Sequence, residues 1–96
     1  MVNYDKVPVE YMRDGVRRYI ERGVMPGDFL FALFSNDLKG AYRAADDRNT
    51  EAMRAWVGFV INEMPCTSQG SPAIVRAWCK AQTLRCAGLI RAEAGA

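Results

Sequence analysis

The sequence contains no histidine, and this absence removes several classes of function at once. Histidine is the most common metal ligand, the most common general base and the usual side chain of a pH switch. Hydrolases that depend on a Ser/His/Asp or Cys/His arrangement are therefore excluded. The chain also lacks the phosphate-binding loops GxxxxGK[ST] and GxGxxG. We therefore expect a protein that is not an enzyme and that uses no cofactor.

Cysteine is scarce, and long apolar runs are missing. Cys66, Cys79 and Cys86 are odd in number and irregularly spaced, so reduced thiols are expected and a disulfide framework is not. No CxxC pair supports a zinc site, and we expect no metal. No segment approaches the roughly 18 consecutive apolar residues of a membrane-spanning helix, and the N-terminus lacks the layout of a secretory signal. These features predict a soluble cytoplasmic protein without a membrane partner.

The chain has the composition of one small globular domain. Its 96 residues are 50% apolar and 25% charged, which is typical of a globular and not of a disordered protein. This length supports a single hydrophobic core. The formal net charge is +2, whereas duplex-DNA-binding domains usually carry a pronounced basic stripe. We expect one domain over 1–96, with an extended lead-in over 1–7 and a frayed tail over about 90–96.

Apolar residues recur with the three-to-four spacing of α-helices, and no sustained alternation of period two indicates a strand. The first predicted helix covers about 8–22 and ends at Gly23, a natural left-handed cap. The second begins with Asp28 as its N-cap and continues to about residue 45, with a weak point at Gly40.

Two more helices complete the predicted fold. The third begins at Asn49 or Thr50, and its apolar face consists of Met53, Trp56, Val57, Val60, Ile61 and Met64. The fourth begins at Ser71-Pro72, where a capping serine precedes a proline in the first helical position. It continues to about residue 87 or 90. Four helices with short connections predict an all-α fold, a compact bundle of about four helices.

One carboxylate falls on an apolar face. On a helical wheel, Asp37 lies in the middle of the apolar face of the second helix. Because a lone buried charge is costly to desolvate, Asp37 needs a partner. Arg85 and Arg13 are the candidates for a structural ion pair. Alternatively, the helix bends at Gly40 and leaves Asp37 on the wall of a cleft, or Asp37 contacts a ligand or partner.

The second and fourth helices carry more apolar residues than one core face needs. The second has Phe29, Phe31 and Tyr42 outside its main stripe. The fourth is apolar on one side at Val75, Trp78, Cys79, Cys86 and Ile90, and on another at Ile74, Ala77, Ala81 and Leu84. A helix that is apolar on two sides is buried on two sides. We therefore expect a homo-oligomer, the alternative being a central helix covered by its own neighbours.

A series of segments in fixed order carries a resemblance to known proteins. The segments are Tyr-Met-Arg-Asp-Gly-Val-Arg-Arg-Tyr-Ile-Glu-Arg-Gly (11–23), Pro-Gly-Asp-Phe-Leu (26–30), Asn-Asp-Leu-Lys-Gly-Ala (36–41), Ala-Asp-Asp (45–47) with Asn49, Trp-Val (56–57), Asn-Glu (62–63), Gly-Ser-Pro (70–72) and Trp78. Over roughly residues 4–78 the chain resembles a widespread group of small, uncharacterised phage and prophage proteins. That group commonly has Trp-Gly-Ser-Pro where this chain has Gln69 before Gly-Ser-Pro. A site that includes that tryptophan would be altered here.

The resemblance implies a biological setting and no enzymatic activity. Small accessory proteins of phages often antagonise host immunity in the cytoplasm of the host cell. Some block CRISPR-type effector complexes, and others are oligomeric sponges for nucleotide second messengers. Both act by stoichiometric binding to a host defence protein or to a nucleotide. The alternative is a small helical DNA-binding transcriptional regulator of phage origin that reads DNA with Arg76, Lys80 and Gln82 of the fourth helix.

The candidate binding residues are polar and aromatic groups near the predicted helix ends. A nucleotide sponge needs cations for phosphate, aromatic rings that stack on bases, and a site such as the N-terminus of the fourth helix for an anion. An inhibitor that binds a protein needs an exposed patch of about 800 Å² with aromatic or arginine anchors. The candidates for either role are Asn36, Asp37, Tyr42, Arg43, Asn62, Ser71, Arg76 and Trp78.

Overall fold

The computed structural model describes residues 2–88, and all of their regular structure is helical. Within this stretch six α-helices follow in chain order: α1 Arg13–Arg22, α2 Asp28–Phe34, α3 Leu38–Ala44, α4 Asp47–Glu51, α5 Met53–Glu63 and α6 Pro72–Cys86. Single 3-10 turns lie at Tyr4–Lys6, Glu10–Met12 and Cys66–Ser68. The all-α prediction is confirmed over residues 2–88. The predicted four long helices are wrong in number, because two of them are each divided.

The predicted second helix is divided into α2 and α3 by a turn at residues 35–37. Asn36 has a φ of 62°, in the left-handed region that few residues other than glycine adopt. Asp37 then caps α3, because its Oδ1 accepts a hydrogen bond from the Gly40 N–H at 3.0 Å. The helix is therefore interrupted before Asp37 and not at Gly40. A side chain at this position would collide with the Asp37 carboxylate, so the glycine leaves room for the cap.

Asp37 is consequently not the buried carboxylate that the helical wheel predicts. It is exposed, and neither predicted cation pairs with it. Arg13 Nε donates to the Tyr4 carbonyl at 3.1 Å, and Arg85 Nη1 donates to Gln82 Oε1 at 2.7 Å. The helical-wheel prediction treats α2 and α3 as one continuous helix. Because a turn precedes α3, the position that the wheel gives to Asp37 is wrong.

Two predicted helix ends are confirmed. Gly23 ends α1 with a φ of 70°, and its N–H donates to the Tyr19 carbonyl at 3.0 Å. Ser71 caps α6, since its Oγ accepts a hydrogen bond from the Ile74 N–H at 3.2 Å. Both signals are local, so they survive changes elsewhere in the fold. The predicted helical extension to residue 90 and the frayed tail lie outside the described residues.

Three predicted helix starts are wrong. The α-helix α1 begins at Arg13 and not near residue 8, because a 3-10 turn precedes it. Gly27 precedes the first residue of α2, so Asp28 lies inside the helix. Asp46 caps α4 by accepting the Asn49 N–H at 2.8 Å, and a turn at Ala52 separates α4 from α5. Asp46 is therefore the N-cap, a role that was expected for Asn49 or Thr50.

Trp56 of α5 lies at the centre of the core. It is fully buried, with its ring edge-on to Phe29 at 5.6 Å and to Phe59 at 6.1 Å between centroids. Its indole N–H donates to Oδ1 of the buried Asn49 at 2.9 Å. Asn49 therefore satisfies the one polar atom of the largest buried side chain, and does not cap a helix.

The helix α6 packs on the C-terminal end of α1 and donates side-chain hydrogen bonds to two backbone carbonyls there. Trp78 Nε1 donates to the Tyr19 carbonyl at 3.1 Å, and Gln82 Nε2 donates to the Ile20 carbonyl at 2.7 Å. The Tyr19 ring stacks on Phe34 at 5.0 Å. These contacts hold α6 against α1 and α2 and leave α3 and α5 on another part of the surface.

Asp46 also connects α4 to the segment before α1, and this contact predicts an acid dependence of stability. Its carboxylate accepts a hydrogen bond from the Tyr11 hydroxyl, which is the main reason that the pKa of Asp46 is lowered. A lowered pKa contributes stability above the usual value of about 3.9, and this contribution is lost as the pH falls through the lowered pKa of the folded state. We expect Tyr11→Phe to be less stable than wild type at neutral pH, with the difference shrinking in acid. Urea titrations at several pH values measure it, and a difference independent of pH would contradict the assignment.

Candidate functional site

An apolar groove of about 190 Å³ lies between α3 and α5. Its base contains the buried side chains of Ala41, Met53 and Val60. Leu38, Val57 and Ile61 form its walls, and Asn36, Asp37 and Gln69 supply its polar edge. The groove therefore has an apolar interior with a small number of polar groups at its margin, as binding sites commonly do.

Several large apolar side chains at this groove remain exposed to solvent. Leu38 is 65% exposed and Ile61 is 70% exposed. Tyr42 lies one turn after Leu38 on α3, and Val57 lies one turn before Ile61 on α5, and both are also exposed. We call these four residues the groove patch. A contiguous apolar surface of this kind is typical of an interaction site.

Two features together produce the groove patch. One is the break between α2 and α3, and the other is the wide apolar arc of α5. Trp56 and Phe59 of α5 face the core, so Val57 and Ile61 point away from it. Val57 and Ile61 belong to the apolar face predicted for this helix, but unlike Trp56 they are exposed. Leu38, Val57 and Ile61 were not among the predicted site residues. The available signal was the width of the arc, which is greater than one core contact requires.

Two of the eight predicted site residues line this groove, and a third, Tyr42, lies one helical turn after the lining residue Leu38. Asn36 and Asp37 form part of its edge, and Tyr42 belongs to the groove patch. Arg43 and Asn62 are exposed on α3 and α5 and are not among the lining residues. The structure thus gathers the candidates of the second predicted helix more closely than the rest.

The three candidates from α6 make contacts within the protein. Ser71 Oγ caps α6, and the Arg76 guanidinium lies over the Phe31 ring at 5.4 Å from its centroid. The Trp78 indole N–H donates a hydrogen bond to the Tyr19 carbonyl of α1. The structure therefore does not assemble Ser71, Arg76 and Trp78 with the residues at the groove.

Gln69 lies at the edge of the groove and is half-buried. Gly70, the next residue, donates its N–H to the Phe34 carbonyl at 2.7 Å, which holds this segment against the end of α2. The side chain at residue 69 therefore helps to shape the groove. A tryptophan there would present a larger apolar surface than the glutamine does.

Some of the apolar side chains that led us to expect self-association are covered by other parts of the same chain. Phe29 is buried against Trp56, and Phe31 packs beneath Arg76. On α6, Val75 and Cys79 face the core, whereas Ile74 is 39% exposed. Self-association stays a prediction.

The groove is electrostatically unsuited to a phosphate. Among residues 2–88, no lysine or arginine lines it, and Asp37 is the acidic residue on its edge. Phosphate recognition depends on charge-assisted hydrogen bonds from cations or on free backbone N–H groups. The groove therefore fits an apolar side chain better than an anion.

A second, shallower pocket of about 620 Å³ brings two aromatic side chains together. Tyr4 and Trp78 line it with Arg17 and Glu21, but these groups are already paired. The Arg17 guanidinium lies 4.7 Å from the centre of the Tyr4 ring and its Nε is 3.9 Å from Glu21 Oε2. Burial, followed by the hydrogen bond to Glu21, raises the pKa of Tyr4 to about 12. A nucleotide would have to displace these contacts.

Residues 2–88 contain neither a cluster of metal-ligating side chains nor a helix that could cross a membrane. No group of three or more cysteine, aspartate and glutamate side chains is arranged to hold a metal in that stretch. The thiols of Cys66, Cys79 and Cys86 are free, and burial raises the pKa of Cys79. No helix in the described stretch is long and apolar enough to cross a membrane.

Neither a family model, nor a curated protein, nor a solved structure matches this chain.

Proposed function

We propose that this protein is a non-enzymatic inhibitor that binds a host defence protein stoichiometrically through the groove patch, in the phage setting that the sequence resemblance implies. The observation that supports the proposal is the apolar groove with Leu38, Tyr42, Val57 and Ile61 exposed around it. Protein interfaces concentrate their binding energy in aromatic and apolar anchors that fill such pockets. A CRISPR-type effector complex is the kind of target we propose.

Two observations favour a protein target over a nucleotide second messenger. The groove is lined by apolar side chains and carries a carboxylate at its edge. The predicted phosphate ligand Arg76 lies over the Phe31 ring, and Ser71 is engaged in capping α6. A nucleotide sponge requires cations and stacking rings in one place.

The DNA-binding alternative receives little support. Gln82, one of its three predicted base readers, is half-buried and donates its side-chain N–H to the Ile20 carbonyl. Arg76 packs on Phe31. Side chains that read base edges must be free at the protein surface.

The proposal is tested by phage plating on a panel of bacterial strains, each of which carries one defence system and expresses this protein. We expect plaques to be restored on at least one strain, because the inhibitor blocks that system. Val57→Glu is expected to abolish the effect by placing a charge in the apolar groove. Val24→Glu is the matched control, since Val24 is 45% exposed against 40% for Val57 and lies in the loop before α2. Equal activity of both variants, or no restored strain, would overturn the proposal.

Thermal denaturation with added ligands separates the competing functions. A ligand that binds the folded state raises the Tm by mass action. A rise with cyclic dinucleotides, cyclic trinucleotides or ADP-ribose derivatives would replace the proposal with a nucleotide sponge. Binding to duplex DNA that weakens steeply with added salt would replace it with a transcriptional regulator.

A further inference from the structure

We draw no further inference here: the strongest candidate, the apolar groove between α3 and α5 with Leu38, Tyr42, Val57 and Ile61 exposed around it, belongs to the site already described, and nothing in the structure of residues 2–88 shows what covers it.

Discussion

Replacing Gly23 with alanine is expected to destabilise the protein by about 2–5 kcal/mol. Gly23 has a φ of 70°, which strains any residue with a Cβ. An added Cβ would also collide with the Cys79 carbonyl of α6 and lie 2.9 Å from the Gln82 Cβ. Because a backbone carbonyl in a helix cannot move aside cheaply, α6 would have to shift away from α1. Urea titration monitored by circular dichroism measures the change in the free energy of unfolding.

Gly58 in the middle of α5 supplies the matched control. A Cβ added there meets no atom within 4 Å, and alanine is favoured over glycine inside a helix by about 0.5–1 kcal/mol. Gly58→Ala should therefore stabilise the protein slightly. If Gly23→Ala were as harmless as Gly58→Ala, the close packing of α1 against α6 would be wrong.

Trp56→Ala is expected to cost about 3–5 kcal/mol, which is a large part of the roughly 5–15 kcal/mol that stabilises a small domain. The substitution removes the largest fully buried side chain and its edge-on contacts with Phe29 and Phe59. It also leaves Asn49 Oδ1 buried without its donor. We expect a protein that is partly unfolded at room temperature, as measured by circular dichroism and by the urea midpoint.

Two further variants separate the cavity from the lost hydrogen bond. Trp56→Phe keeps an aromatic ring and removes the indole N–H, and Asn49→Ala removes the acceptor. Because the two residues interact directly, their effects on the free energy of unfolding should not be additive in the double variant. Additive effects would show that the Trp56–Asn49 hydrogen bond contributes nothing, whereas a small cost of Trp56→Ala would contradict the central position of Trp56.

The parts of the fold that were predictable from sequence have strong local signals. Gly23 after a charged helix end and Ser71-Pro72 before an apolar run each define a cap within a few residues. The turn at residues 35–37 has a weaker signal. Asn36 and Asp37 are tolerated inside a helix pattern, so the choice between one helix and two depends on packing around α3. The misplacement of Asp37 followed from that single error.

The candidate site was less predictable than the fold. Tyr42, Asn36 and Asp37 were selected for their chemistry, and they lie at the groove or beside it. Val57 and Ile61 were predicted only as part of an apolar helix face, since a sequence shows how many apolar residues a helix carries and not which of them its neighbours cover. That information depends on how α3 and α5 are positioned by the rest of the chain.

The pairing of α6 with α1 has a kinetic consequence. Its hydrogen bonds join residues that are 59 and 62 positions apart, Trp78 with Tyr19 and Gln82 with Ile20. Closing such a long loop is slow, because chain entropy opposes it until the contacts form. The helices that build the groove all lie inside this loop and are close to one another in sequence. Contacts among these helices therefore close shorter loops than the pairing of α6 with α1 does.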